Sequence, residues 1–114
     1  MRHNMNLFSE SFKMIKSGKK DIELRLYDEK RRKICVNDKI VFTNIDTGET
    51  IETKCLKIHI ADSFIKLFEI INDNERVGSQ KTETHEEMSE QMRAYYSRED
   101  EEKYGVVGIE IVLI

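Results

Sequence analysis

From Ile22 to Tyr27 the chain alternates: Ile22, Leu24 and Leu26 are apolar, while Glu23, Arg25 and Tyr27 between them are polar or amphipathic. Successive side chains of a strand point to opposite faces, so this pattern predicts a strand over 20–27 with one apolar face. Upstream the period changes. Phe8, Phe12 and Ile15 are spaced as on one side of a helix, which predicts a helix over 9–17. Ser9 or Ser11 is placed to cap its start and Gly18 to end it. Lys13, Lys16 and Lys19 load the end where the helix dipole favours cations.

After the strand, Asp28 can cap a short helical turn through Arg32, and the chain straightens at Ile34. Asn37-Asp38 is a turn signal, and Ile40 and Phe42 then alternate with Lys39, Val41 and Thr43 in a second strand. Asp46-Thr47-Gly48 makes a tight hairpin turn into a long third strand over 50–60. There Ile51, Thr53, Cys55 and Lys57 share one face, yet the apolar set moves to Leu56, Ile58 and Ile60 past the midpoint. A bulge near Lys54 reconciles the two.

Ser63 opens a helix carrying Phe64, Leu67, Phe68 and Ile71, and residues 72–78 form a polar loop without a period. Thr84 and Glu87 make a capping box ahead of a helix with Met88, Met92 and either Tyr95 or Tyr96 on its inner stripe. Ser97-Arg98-Glu99-Asp100 signals another start, and Gly105 ends it. The final VVGIEIVLI is apolar on both faces apart from Glu110, which predicts a strand central in its sheet.

Few helices are available as crossovers, which argues against a doubly wound parallel sheet. The element order fits a mainly β, α+β architecture: a small, curved, mostly antiparallel sheet closed into a barrel, with helices flanking it. No repeat, linker, low-complexity stretch or proline interrupts the chain, so residues 1–114 read as a single domain.

Composition narrows the class. Charged residues are 36% of the chain and hydrophobic ones 39%, and the latter are clustered in patterned segments, as in a folded domain with a charged surface. No apolar run approaches the about 20 residues needed to cross a bilayer. The start, MRHNMNLFSE, lacks the layout of a secretion signal, so the expected location is cytoplasmic, away from membranes. Cys35 and Cys55 have no C-x-x-C partner and read as small buried residues rather than a disulfide framework. His3, His59 and His85 share no ligand spacing, so neither a metal nor another cofactor is expected.

The net charge of −3 conceals an asymmetry. Residues 1–59 hold 13 basic and 9 acidic side chains, whereas residues 60–114 hold 6 and 13. An acidic protein gains little from bulk attraction to nucleic acid, but a local basic patch at Lys19, Lys20 and Lys30–Lys33 can still dock a phosphate. The acidic second half offers a surface for a protein partner.

Lys20, Glu23 and Arg25 are the leading candidates for chemistry. Glu23 and Arg25 share a strand face and Lys20 stands at its start. A carboxylate beside two cations is driven towards ionisation, and a guanidinium can clamp an anion bidentately. The same spacing also describes a surface ladder of ion pairs, so both readings stand at this point. Tyr27, Tyr95, Tyr96 and Tyr104, interleaved with basic residues, are of a type that stacks on nucleobases. The run Glu99-Asp100-Glu101-Glu102 fans around a helix instead of converging on an ion, and reads as a solvated face. Neither G-x-x-x-x-G-K-[ST] nor G-x-G-x-x-G occurs, which removes the commonest triphosphate and dinucleotide enzymes.

Gly18, Lys20, Glu23 and Arg25 form G-x-K-x-x-E-x-R, which resembles the signature of the ASCH domain, a branch of the PUA-like superfamily. The resemblance runs on through LYDEKRRKI, IVF, SF and YYSREDEEKYGVVGIEI, across nearly the whole chain, and is weakest over 72–86. Asn37 stands where such turns usually carry glycine. The resemblance implies a small mixed PUA-like β-barrel with a cleft beside the first strand, lined by Lys20, Glu23 and Arg25. It also implies a role in RNA or modified-nucleoside recognition, with Tyr27 and Tyr96 as further ligand contacts. One subgroup resembles amidohydrolases acting on acetylcytidine through the motif lysine, a threonine and a distal glutamate. Here Lys20 matches, Glu23 replaces the threonine, and Glu75, Glu86 and Glu87 lie in the weakly matching stretch. If the chain is an enzyme, Lys20 and Glu23 are its catalytic groups, with the carboxylate activating water. Three roles therefore follow: binding of RNA or a nucleoside-like ligand, hydrolysis of a modified nucleoside or RNA, and protein interaction.

Overall fold

In the computed structural model, which describes residues 1–114, the strands are β1 (Arg2–Leu7), β2 (Ile22–Leu26), β3 (Lys39–Asn44), β4 (Thr50–Ala61) and β5 (Val106–Leu113). The helices are α1 (Ser9–Lys16), α2 (Glu29–Arg32), α3 (Phe64–Ile71), α4 (His85–Gln91) and α5 (Arg98–Tyr104), with 3-10 turns at Glu75–Val77 and Met92–Ala94. The strands make one sheet in the order β1-β3-β4-β5-β2. β1 and β3 run parallel, and the other neighbours are antiparallel. β5 is flanked by β4 and β2, as its two apolar faces predict.

The sheet curls into a half-barrel and does not close. Its free edges are β1 and β2, and β1 is a strand that the apolar pattern of the chain does not announce. His3, Met5 and Leu7 point inward while Arg2, Asn4 and Asn6 are exposed, so an inward histidine and two asparagines disguise the alternation. Where a barrel would carry a backbone ladder between its edges, the Arg25 guanidinium of β2 donates from Nη2 to the Asn6 carbonyl of β1 at 2.6 Å.

Both faces of β2 meet other parts of the protein, with Ile22, Glu23 and Leu24 buried and Arg25 and Leu26 half-buried. Ile22 and Leu24 pack with Phe64, Leu67, Phe68 and Met88 under α3 and α4. On the other side Glu23 lies opposite Ile109 and Arg25 opposite Val107. Directly paired residues share a face. Val107 and Ile109 belong to the cluster covered by α1, with Met5, Phe12, Phe42 and Cys55. The polar side chains of β2 are therefore aimed at the interior.

Several local details differ from the sequence expectation. α1 starts at Ser9 without a side-chain cap, because Phe8 occupies the N-cap position. The bulge of β4 falls between Cys55 and Lys57, slightly beyond the position expected, so Cys55 faces inward before it and Ile58 after it. Cys55 is buried, which pushes its thiol up to about 11, with nearby Asp38 adding to the effect. Cys35 is exposed instead, because Ile34 takes the inward position where the chain leaves α2. Asn37 adopts φ 78°, the left-handed conformation that favours glycine. No helix is long and apolar enough to cross a membrane.

Candidate functional site

A cleft of about 630 Å³ runs along β2. One wall comes from the end of β1 and the start of α1, the other from the 3-10 turn Met92–Ala94 and the residues after it. At its polar end Lys20 Nζ lies 2.9 Å from Glu23 Oε1, and Arg25 Nε donates to Glu23 Oε2 at 2.8 Å. Lys20 is 7% exposed and Glu23 5%, so these are interior charges. Burial by itself would raise the Glu23 pKa, but the adjacent Lys20 and Arg25 outweigh it and hold the carboxyl below its usual range.

The fold fixes Lys20 from two directions. Its backbone N–H donates to the Met14 carbonyl at 3.1 Å, tying it to the end of α1. Its stem rests on Gly78, where an added Cβ would stand 3.1 Å from Lys20 Cδ, on a backbone at φ +91°. Gly78 lies in the stretch that reads as a featureless loop, so its part in the site is visible only in three dimensions.

The opposite wall is aromatic and thioether-rich. Tyr96 stacks on Phe64, with ring centroids 5.8 Å apart. Tyr95 is 60% exposed and meets Phe8, also exposed, at 6.0 Å. Met14, Met88 and Met92 line the cleft as well. Of the two tyrosines, either of which could complete the inner stripe by sequence, Tyr96 does so and Tyr95 points outward.

A buried carboxylate supports this wall. The Phe64 N–H donates to Glu101 Oε2 at 2.6 Å, Arg93 pairs with Glu101, and Arg93 Nη1 donates to the Tyr96 carbonyl at 3.2 Å. The acidic run 99–102 is therefore not wholly a solvated face. Glu101 turns inward and joins α3 to the segment that carries the tyrosines.

Tyr27 does not line the cleft. It packs against the cluster under α1, with the Arg32 guanidinium 4.3 Å above its ring. Tyr104 is also outside the cleft, and its carbonyl accepts from Arg32 Nη2. The expected basic patch is partly consumed within the fold: Lys20 is interior, Arg31 pairs with Asp28, and Arg32 is engaged as above. Glu75, Glu86 and Glu87 do not line the cleft, whereas Glu10 on α1, not singled out by the sequence, does. No group of three or more His, Cys, Asp or Glu side chains converges as a metal cage would.

A curled five-stranded sheet with flanking helices is a PUA-like α+β architecture, a fold associated with RNA binding. The ASCH domain model matches residues 5–114, and the chain belongs to that family. It is similar to a hypothetical protein designated PH0355, at 40% identity over all of both chains with a TM-score of 0.87. Protein PF0455 from Pyrococcus furiosus is 37% identical over 100% of this chain and 98% of its own, with a TM-score of 0.73. A mutant of ZmASCH from Zymomonas mobilis shares the fold at 15% identity, over 96% of this chain and 66% of its own, with a TM-score of 0.67. No curated protein matches the chain.

Proposed function

We propose that the cleft binds a single nucleobase, presented by RNA or as a modified nucleoside. The observation that carries this reading is the pairing of interior donors with an aromatic wall in one cavity. Lys20 and Arg25 supply N–H groups at the β2 end, and Tyr95, Tyr96 and Phe8 supply ring surface on the other side. Stacking of a base on such rings contributes about 1–3 kcal/mol and tolerates any base, while the polar end fixes orientation. A cavity of this volume holds one nucleoside rather than a length of duplex.

Hydrolysis is less well supported by the same geometry. Glu23 is held ionised by Lys20 and Arg25, which makes it a weak general base, and Lys20 Nζ is itself engaged. Crystals soaked with nucleosides test the binding role. Density between Arg25 and Tyr95 is the expected result, and nucleosides found only outside the cleft would overturn it.

A further inference from the structure

If the cleft holds a nucleobase, as proposed above, the hydrogen-bond inventory at its polar end decides which kind. Glu23 is the sole acceptor among the three ionic side chains, and each of its oxygens already holds one cation. Oε1 takes Lys20, Oε2 takes Arg25, and the residue is almost wholly covered. Donors are in surplus. Lys20 Nζ donates one N–H to Glu23 and keeps others, while Arg25 spends Nε on Glu23 and part of Nη2 on the Asn6 carbonyl. The N–H groups left over are what a ligand meets.

Charge supplies a second constraint. Lys20 and Arg25 are opposed in the lining by Glu23 and by Glu10, so the cleft is formally neutral and carries no excess charge for a phosphate. A flat, uncharged ligand with an acceptor at its inner edge satisfies both conditions.

We infer that the cleft selects keto bases over amino bases, taking uracil before cytosine and hypoxanthine before adenine, because Lys20 and Arg25 donate to a ring carbonyl oxygen. An exocyclic amine in the same place sets N–H against N–H and leaves interior donors unpaired. That mismatch discriminates far more strongly than shape does. The hydroxyls of Ser11, Ser79, Tyr95 and Tyr96 rotate to donate or accept, and Asn6, Glu10 and Gln91 bring acceptors from β1, α1 and α4, so the preference rests on the Lys20–Arg25 end alone. Glu23 then acts as a positioning residue. It holds two cations side by side.

The test is a titration of the isotopically labelled full chain with uridine, cytidine, inosine and adenosine, followed through backbone amides of Glu23, Arg25 and Gly78. Uridine is expected to bind about tenfold tighter than cytidine, and inosine about tenfold tighter than adenosine. Inorganic phosphate is expected not to compete. Lys20→Met and Arg25→Gln should each bring both ratios towards one, and if either variant fails to fold the other carries the comparison. Equal affinities, a preference for amino bases, or unchanged ratios in the variants would overturn the selectivity and leave the nucleobase role standing. Competition by phosphate at the same amides would overturn the neutral-ligand assignment. Failure of all these nucleosides to bind removes the nucleobase role and this inference with it.

Discussion

Glu23 on β2 and Glu101 on α5 are each 5% exposed, and each is paired with an arginine. Their surroundings differ in one respect. Around Glu101 the Phe64 N–H and Arg93 reach the carboxylate, Arg93 continues to the Tyr96 carbonyl, and neither Glu101 nor Arg93 lines the cleft. Around Glu23 the two cations line a cavity and have N–H groups beyond those spent on Glu23 and Asn6. Burying charge is costly in both places. The contrast teaches that a buried ion pair is assigned to structure or to binding by whether its cations line a cavity, and burial alone does not decide.

The comparison can be broken by stability measurements. Glu101→Leu removes one partner of a closed interior network, and about 3–5 kcal/mol should be lost in urea denaturation. Glu23→Leu should cost less, about 2 kcal/mol, because water in the cleft can solvate the freed Lys20 and Arg25. A larger loss for Glu23→Leu than for Glu101→Leu would show that the cleft pair is the structural one. Next in size is Gly78→Val, which puts a branched side chain at positive φ and against the Lys20 stem. It should cost about 1–2 kcal/mol and weaken nucleoside binding by displacing Lys20. Intact affinity in that variant would mean that Lys20 is not held by Gly78.

The smallest effect is in pH. The Glu23 carboxyl is lowered from its ordinary 4.5 in the folded chain, so its stabilising contribution is fully present above that pH. It is lost as pH falls through the lower folded value. Wild type and Glu23→Gln should therefore differ most above pH 4.5 and converge in stronger acid. A gap that widens on acidification would contradict the assignment. Asp38 is lowered in the same sense by the His3 side chain and the Cys35 N–H, and is common to both proteins.

Much of this was legible in the chain. The period of two in 22–27 located β2, the apolar finish located β5, and the capping signals at Ser63, Thr84 and Ser97 are each made by the side chain expected. The polar face of β2 was visible as a pattern, but its direction was not, because direction depends on Ile109 and Val107 lying beside it across the sheet. β1 escaped because asparagine and histidine do not look like strand residues, although its alternation was complete. Glu101 escaped because four acidic residues in a row look alike in sequence, and only α3 packing nearby distinguishes the third. Tyr27 continued the polar alternation on paper, yet it lies one residue past the end of β2 and packs under Arg32.

The central claim is that Arg25 serves the cavity more than the fold, and one paired measurement addresses it. Wild type and Arg25→Ala are titrated with uridine and with a short single-stranded RNA, and both proteins are unfolded in urea. The account predicts at least about a tenfold loss of affinity with a stability loss of about 2 kcal/mol, smaller than that of Glu101→Leu. Unchanged affinity, or a loss of stability as large as that of Glu101→Leu, would contradict it.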